Sequence, residues 1–237
     1  MSNKWLIFPV LIFTALTIGG CRAQPPSKAQ KTPGNTTVKS AKTQKNQKTM
    51  ESAKINLEVS LSKQDDGLHL EYKLKNTRSR PIYLFNVLWD FDSTGKYTDA
   101  PSPAYVSLRQ DGDLHLAHQI PPLPKSRRVE LKIVPFTTKV EAGQDFSRKI
   151  KLALPIREYN PYFVAGQDSQ YEARQSDSVI FTLQFVEETE EMEIKPAPLP
   201  AALWVWHPRL AEKVETLQIK KTFSVEVQKR MDKFEEL

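Results

Sequence analysis

The sequence predicts an all-β fold, an immunoglobulin-like β-sandwich of roughly nine strands, preceded by a signal peptide and a disordered tether. Three observations predict it. From Lys54 onward apolar residues recur at every second position, Asp-Gly pairs separate successive runs, and all five glycines after residue 50 (Gly67, Gly95, Gly112, Gly143 and Gly166) fall at breaks between runs. A period of two places one set of side chains on a buried face and the other in water. Alternation flanking Asp-Gly is a strong short-range hairpin signal.

The elements follow in order. Ile55, Leu57, Val59 and Leu61 alternate with polar residues, as do Leu68, Leu70, Tyr72 and Leu74, and Asp65-Asp66-Gly67 turns one run into the next. A more continuous apolar run from Ile82 to Phe91 ends at Asp92-Ser93-Thr94-Gly95, with Trp89 expected in the core. Ala104 to Leu108 joins Leu114 to Ile120 across Asp111-Gly112-Asp113. Val129, Leu131 and Ile133 alternate and read as a further strand, followed by Phe146, Ile150, Leu152 and Leu154 on one face. Val179, Phe181, Leu183 and Phe185 form the next stripe, and Leu203 to Trp206 and Phe223, Val225 and Val227 complete the set. Only Pro208 to Thr216 and the charged tail from Lys229 to Leu237 hint at helix, the last eight or so residues being open to fraying. Short strands at regular spacing read as a sandwich, immunoglobulin-like in architecture alone, because the Cys…Trp…Cys spacing of true immunoglobulin domains is missing.

Charge divides the chain differently. There are 34 Lys and Arg against 28 Asp and Glu, but residues 1–50 hold eight of the basic side chains and no acid, leaving 26 against 28 in the remainder. The basic balance therefore belongs to the N-terminal segment, and the case for a nucleic-acid partner loses its support. The single cysteine, Cys21, excludes an intramolecular disulfide framework and any multi-cysteine metal site.

The N-terminus has a signal-peptide layout: Lys4 supplies a positive start, and Trp5 to Ile18 is a 14-residue run without charge, interrupted by Pro9 and too short to span a bilayer as a helix. It ends on Ile18-Gly19-Gly20-Cys21. That tetrad resembles the lipobox of bacterial lipoproteins, an aliphatic residue and two small residues before the cysteine. The resemblance covers the first 21 residues and implies cleavage before Cys21, a diacylglyceryl thioether on its sulfur and a further acyl chain, such as palmitate, on its new amino group. Two or three acyl chains anchor durably where one does not. Residues 1–20 are thus expected to be a lipoprotein signal peptide, residues 21–50 the lipidated cysteine and a disordered basic linker, and residues 51–237 the sandwich. Arg22 after the cysteine implies, by the same resemblance, an outer-membrane protein facing the periplasm if the envelope is Gram-negative. Residues 22–50 carry seven Lys or Arg, no aromatic residue and one branched aliphatic, Val38, too little apolar surface to order themselves. A coil of that length has an end-to-end distance of ~30 Å.

Chemistry is sparse by comparison. His115 and His118 are three apart, which on a strand sends them to opposite faces and argues against a zinc pair. Asp90-Phe91-Asp92-Ser93-Thr94-Gly95 opens like a calcium loop, but Pro101 stands where the bidentate Glu belongs, so it reads as a turn. Glu158 and the pair Asp90 and Asp92 are candidate carboxylates only in the sense that acid–base dyads are spatial. Pro121-Pro122-Leu123-Pro124 followed by Lys125, Arg127 and Arg128 has the form of a polyproline ligand, or of an extended loop. Five carboxylates lie between Glu187 and Glu193, the pattern of a solvated flank to a hydrophobic strand.

Two aromatic groups stand apart as candidates for partner binding. Trp204 and Trp206 share one strand face, either exposed or in the core. Tyr159, Tyr162, Phe163 and Tyr171 lie in a long connection from 156 to 178, composed like an interface loop or like a plug over one end of the core. The expected function is a lipid-anchored cell-envelope module that binds an envelope protein or cell-wall material, without cofactor, metal or catalytic residues. The alternatives are an envelope hydrolase with a carboxylate pair on sandwich loops, and a protease-inhibitor-like sandwich.

Overall fold

A computed structural model describes residues 55–163, 165–166 and 169–232, and the expected signal peptide, Cys21, the expected tether and the last five residues lie outside the described residues. Two strands open the domain, β1 (Ile55–Gln64) and β2 (Gly67–Asn76), paired so that Gln64 faces Gly67 across the two-residue turn Asp65-Asp66. The glycine at that point is a steric requirement. A Cβ on Gly67 would lie 2.5 Å from the carbonyl oxygen of Leu152 on β9 (Asp145–Leu152), the third strand of this small antiparallel sheet.

The second sheet is larger and is built around β11 (Tyr171–Glu187), a 17-residue strand. β14 (Glu215–Arg230) pairs with it antiparallel along nearly its whole length, with a bulge at Ser176 to Ser178. On its other side, β3 (Ile82–Val87) takes the C-terminal end and β7 (Leu114–His118) lies parallel to residues 179–183. Beyond β3 the order continues through β8 (Phe136–Val140), β13 (Leu203–Trp206) and the edge strand β12 (Glu193–Pro196). β6 (Tyr105–Leu108) flanks β7, and the short β10 (Ile156–Arg157) runs parallel to β14. A separate two-stranded hairpin holds β4 (Trp89–Phe91) and β5 (Tyr97–Asp99).

The two sheets meet face to face. Leu57, Leu70, Tyr72, Leu74 and Ile150 of the small sheet pack with Leu84, Val106, Leu116, Phe181, Phe185 and Val227 of the large one in one buried cluster. Burying one such side chain contributes ~1.5–3 kcal/mol, so this layer is the main source of cohesion. The sandwich is all-β, as the alternation predicts, with fourteen strands among the described residues because several of the apolar runs are broken into short pieces.

Three local expectations are corrected. Residues 129–133 form no strand despite their alternation, since Leu131 is exposed and the segment runs as an irregular strap from Ile120 to Pro135. Helix between Pro208 and Thr216 is limited to one turn, α1 (Leu210–Lys213), with no buried residue to anchor it. The 156–178 connection is shorter than its composition indicates, because β10 occupies its start and β11 begins at Tyr171.

Candidate functional site

The arrangement most open to a partner begins at β13. Val205 points to one side and packs, buried, with Tyr83, Phe85 and Val186, so strand alternation sends Trp204 and Trp206 to the other side. There they are 49% and 51% exposed. The pairing Leu203 with Thr137 places Trp204 level with Phe136 on that face, and the pairing Leu84 with Thr138 places Leu84 on it too. This is the face that meets the small sheet at Leu84. The small sheet has three strands against nine, and at β13 the face is not covered by it.

What lies there instead is a run of aromatic rings. Phe136 is 6.3 Å from Trp204 and stacks on Trp89 at 5.7 Å, while Tyr97 sits 5.3 Å from Phe136 and 5.1 Å from Trp89. The run ends at Phe91, 42% exposed and 4.8 Å from Tyr97 across the β4–β5 hairpin. Its centre is fixed: Trp89 and Phe136 are buried with Ala202, and the Trp89 indole donates to the carbonyl of Val134 at 2.8 Å. Trp204 therefore rests on a rigid floor. Of this set the sequence reading singles out the tryptophans. Phe91, Tyr97 and Phe136 leave a weaker signal, Trp89-Asp90-Phe91 repeating the two-residue spacing of Trp204 and Trp206.

Beside it, the groove at the β12–β13 turn is lined by Pro196, Pro198, Leu199 and Pro200 and bordered by Lys139, with a volume of about 630 Å³. Ala201 in this turn has φ of 55°, a left-handed conformation that a residue with a Cβ rarely adopts.

The tyrosine loop is placed differently. Tyr162 and Phe163 are 7% and 5% exposed and close one end of the sandwich. The Tyr162 hydroxyl accepts the Ile133 amide at 2.9 Å, Arg127 donates to the Tyr162 carbonyl at 2.7 Å and lies over the Phe163 ring, and Arg230 donates to the Phe163 carbonyl. These two side chains hold the strap and β14 to the loop, so they offer no free surface to a partner, a correction to the interface expectation. Tyr159 is partly exposed, stacks near Tyr105 and bridges to Val106 through its backbone. Tyr171 is partly exposed beneath the guanidinium of Arg157. The structure thus does not bring the tyrosines and the tryptophans into one site.

The remaining candidates are absorbed into the scaffold. His118 faces the core and His115 the opposite side of the sheet, where its Nε2 lies 2.7 Å from Thr182 Oγ1. His118 Nε2 must donate to the Pro103 carbonyl at 2.8 Å, which leaves Nδ1 to accept from the Tyr72 hydroxyl at 3.1 Å. Tyr72 in turn accepts from Asn86, and Asn86 accepts from Thr138. Burial pushes the imidazole down to about 3 and the Tyr72 phenol up to about 12. Glu158 is buried, with its two oxygens accepting the amides of Leu108 and Arg230 at 2.6 and 2.7 Å, which ties β6 to β14. Asp92 accepts from Thr94 N, Thr94 Oγ1 and Lys96 N, the geometry of a turn, and these bonds lower its carboxyl. In the acidic run, Glu187 pairs with Arg78, Glu188 accepts from the Tyr83 hydroxyl and Glu191 reaches His207.

Among the described residues no cluster of three metal-ligating side chains occurs, and no helix is long and apolar enough to cross a membrane. No family profile, curated protein or solved structure matches this chain.

Proposed function

We propose that this chain is a lipid-anchored cell-envelope protein whose sandwich binds or assembles with another envelope component, rather than catalysing a reaction. The observation that carries this reading is half-exposed Trp204 on a floor of buried aromatic rings, with half-exposed Trp206 two residues along the same strand face. Large indole surfaces held rigidly lose little conformational freedom on contact, and tryptophan is among the residues that dominate binding at interfaces. Ile18-Gly19-Gly20-Cys21 supplies the anchor by its resemblance to a lipobox, and the seven basic side chains of residues 22–50 fit a spacer near an anionic membrane surface.

Two experiments test the reading. Mass spectrometry of the mature protein is expected to show an N-terminal, acylated Cys21, and a retained residue 1–20 segment would exclude it. Crosslinking in intact cells followed by capture of the full chain is expected to yield a partner whose recovery falls in a Trp204→Ala/Trp206→Ala variant that still melts cooperatively well above the temperature of the experiment. Equal recovery would remove the tryptophan face from the binding surface.

A further inference from the structure

The large sheet ends at β12, whose outer edge pairs with no strand among the described residues. Which of its backbone groups point outward follows from the ladder. Ala197 donates to the Ala202 carbonyl at 3.0 Å, one step beyond the pair Pro196 and Leu203. Strand alternation then makes Lys195 and Glu193 the residues that bond β13, and turns the amide and carbonyl of Ile194 to the open side. The nitrogen of Pro196 also faces outward but has no hydrogen to offer, which ends the usable edge. The exposed side chains of Glu193 and Lys195 stand on the same face as Trp206 and Trp204, their partners across the ladder. Ile194 lies on the other face, partly buried beside Val205.

We propose that two copies of this chain associate through β12, antiparallel about a two-fold axis at Ile194, so that the large sheet continues from one copy into the next. Self-complementarity selects the occupant. In this register Ile194 lies opposite the partner's Ile194, and the two exchange both N–H to carbonyl bonds. Glu193 then faces the partner's Lys195, and Lys195 the partner's Glu193, two opposite-charge pairs at the closely spaced positions of the ladder. Neighbouring registers lack the match. An axis at Pro196 has no amide to donate, and an axis at Met192, whose amide already bonds the Thr189 carbonyl, sets Glu193 against the partner's Glu191. A strand of uniform charge on this edge meets repulsion from one of the two side chains. The same-chain contact of Lys195 with Glu193, at 2.9 Å between exposed groups, is exchanged for the cross-strand one at little cost. With one bonded residue pair the contact belongs among weak, transient interfaces. It sets the exposed indoles of both copies on one side of a continuous sheet, the two β13 strands ~14 Å apart. The proposal goes beyond the binding-module reading and does not rest on it.

The test is sedimentation equilibrium of the full chain, with detergent micelles in excess over protein. A monomer–dimer equilibrium with a dissociation constant of about 100 µM or tighter is expected. Glu193→Lys and Lys195→Glu each place like charges across the axis and should weaken the dimer about tenfold or more. The double variant Glu193→Lys/Lys195→Glu should restore it, and an equimolar mixture of the two single variants should form a mixed dimer, since each then supplies the charge that the other lacks. Hydrogen exchange gives a check that needs no variant: the Ile194 amide should be slowed at high protein concentration and exchange freely on dilution. A parent chain that stays monomeric, a dimer indifferent to the single reversals, reversals not rescued by the double variant, or an Ile194 amide whose exchange ignores concentration overturns the proposal. None of these results touches the crosslinking test of the tryptophan face, so the two readings fail separately.

Discussion

At the scale of single residues, His118 makes the domain sensitive to mild acid. Its folded value of about 3, set by burial, lies below the ordinary histidine value of 6.5. Below pH 6.5 the unfolded chain takes up a proton that the folded chain refuses, so stability is complete above that value and falls as pH drops toward 3. The slope is about 1.4 kcal/mol per pH unit, or about 2 kcal/mol by pH 5. The salt-bridged carboxylates Asp66 and Asp232, held below their ordinary values, add their own losses only at lower pH. The expected result is a denaturation midpoint that declines between pH 6.5 and 5, with a His118 ring resonance that does not titrate there. A ring that titrates near 6.5 would show that the network around Tyr72 opens. None of this is legible in the sequence, where His118 is one of two histidines on a strand. Alternation assigns the face, but only packing against Tyr72 and Phe181 removes the water.

At the scale of elements, strand identity is legible and coverage is not. The hairpin from Ile55 to Asn76 can be read residue by residue because one face of it is buried from Ile55 to Val59 and from Leu68 to Asn76. The alternation of 129–133 carries the same signal and forms no strand, because that segment is held as a strap by Trp89, Arg127 and Tyr162 instead of by a neighbouring ladder. Likewise, period two says that Trp204 and Trp206 share a face, yet whether that face is covered depends on how far the three-stranded sheet extends. The two aromatic groups should therefore separate in mutagenesis. Tyr162→Ser removes a buried ring and the acceptor of the Ile133 amide, and is expected to lower stability by about 3 kcal/mol or more. Trp204→Ala and Trp206→Ala, on exposed positions, should each change it by about 1 kcal/mol or less. Urea denaturation of the three variants measures this, and a stable Tyr162→Ser protein would mean that the loop does not close the sandwich. Ala201→Gly, which relieves a left-handed residue at the β12–β13 turn, is expected to leave stability equal or up to about 1 kcal/mol higher.

For the whole molecule, the order of the chain and the order of the sheet are opposed. β14 comes last among the described elements, yet it pairs with β11 along its length, receives β10, and supplies Val225 and Val227 to the layer between the sheets. Arg230 at its end donates in several directions, to the Phe163 carbonyl, to Asp232 and, through its amide, to buried Glu158. Without it, β11 becomes a long, apolar edge, and the buried Glu158 carboxyl loses the Arg230 amide it accepts from. The sandwich therefore closes only when the C-terminal strand has arrived, a non-local step of high contact order. A chain ending after Ser224 is expected to aggregate or be degraded, whereas one ending after Asp232 should fold with a melting temperature within about 2 °C of the parent. Solubility and thermal unfolding of the two truncations decide it, and a soluble, cooperatively melting chain ending at Ser224 would show that the sheets hold together without the pairing that the topology makes central.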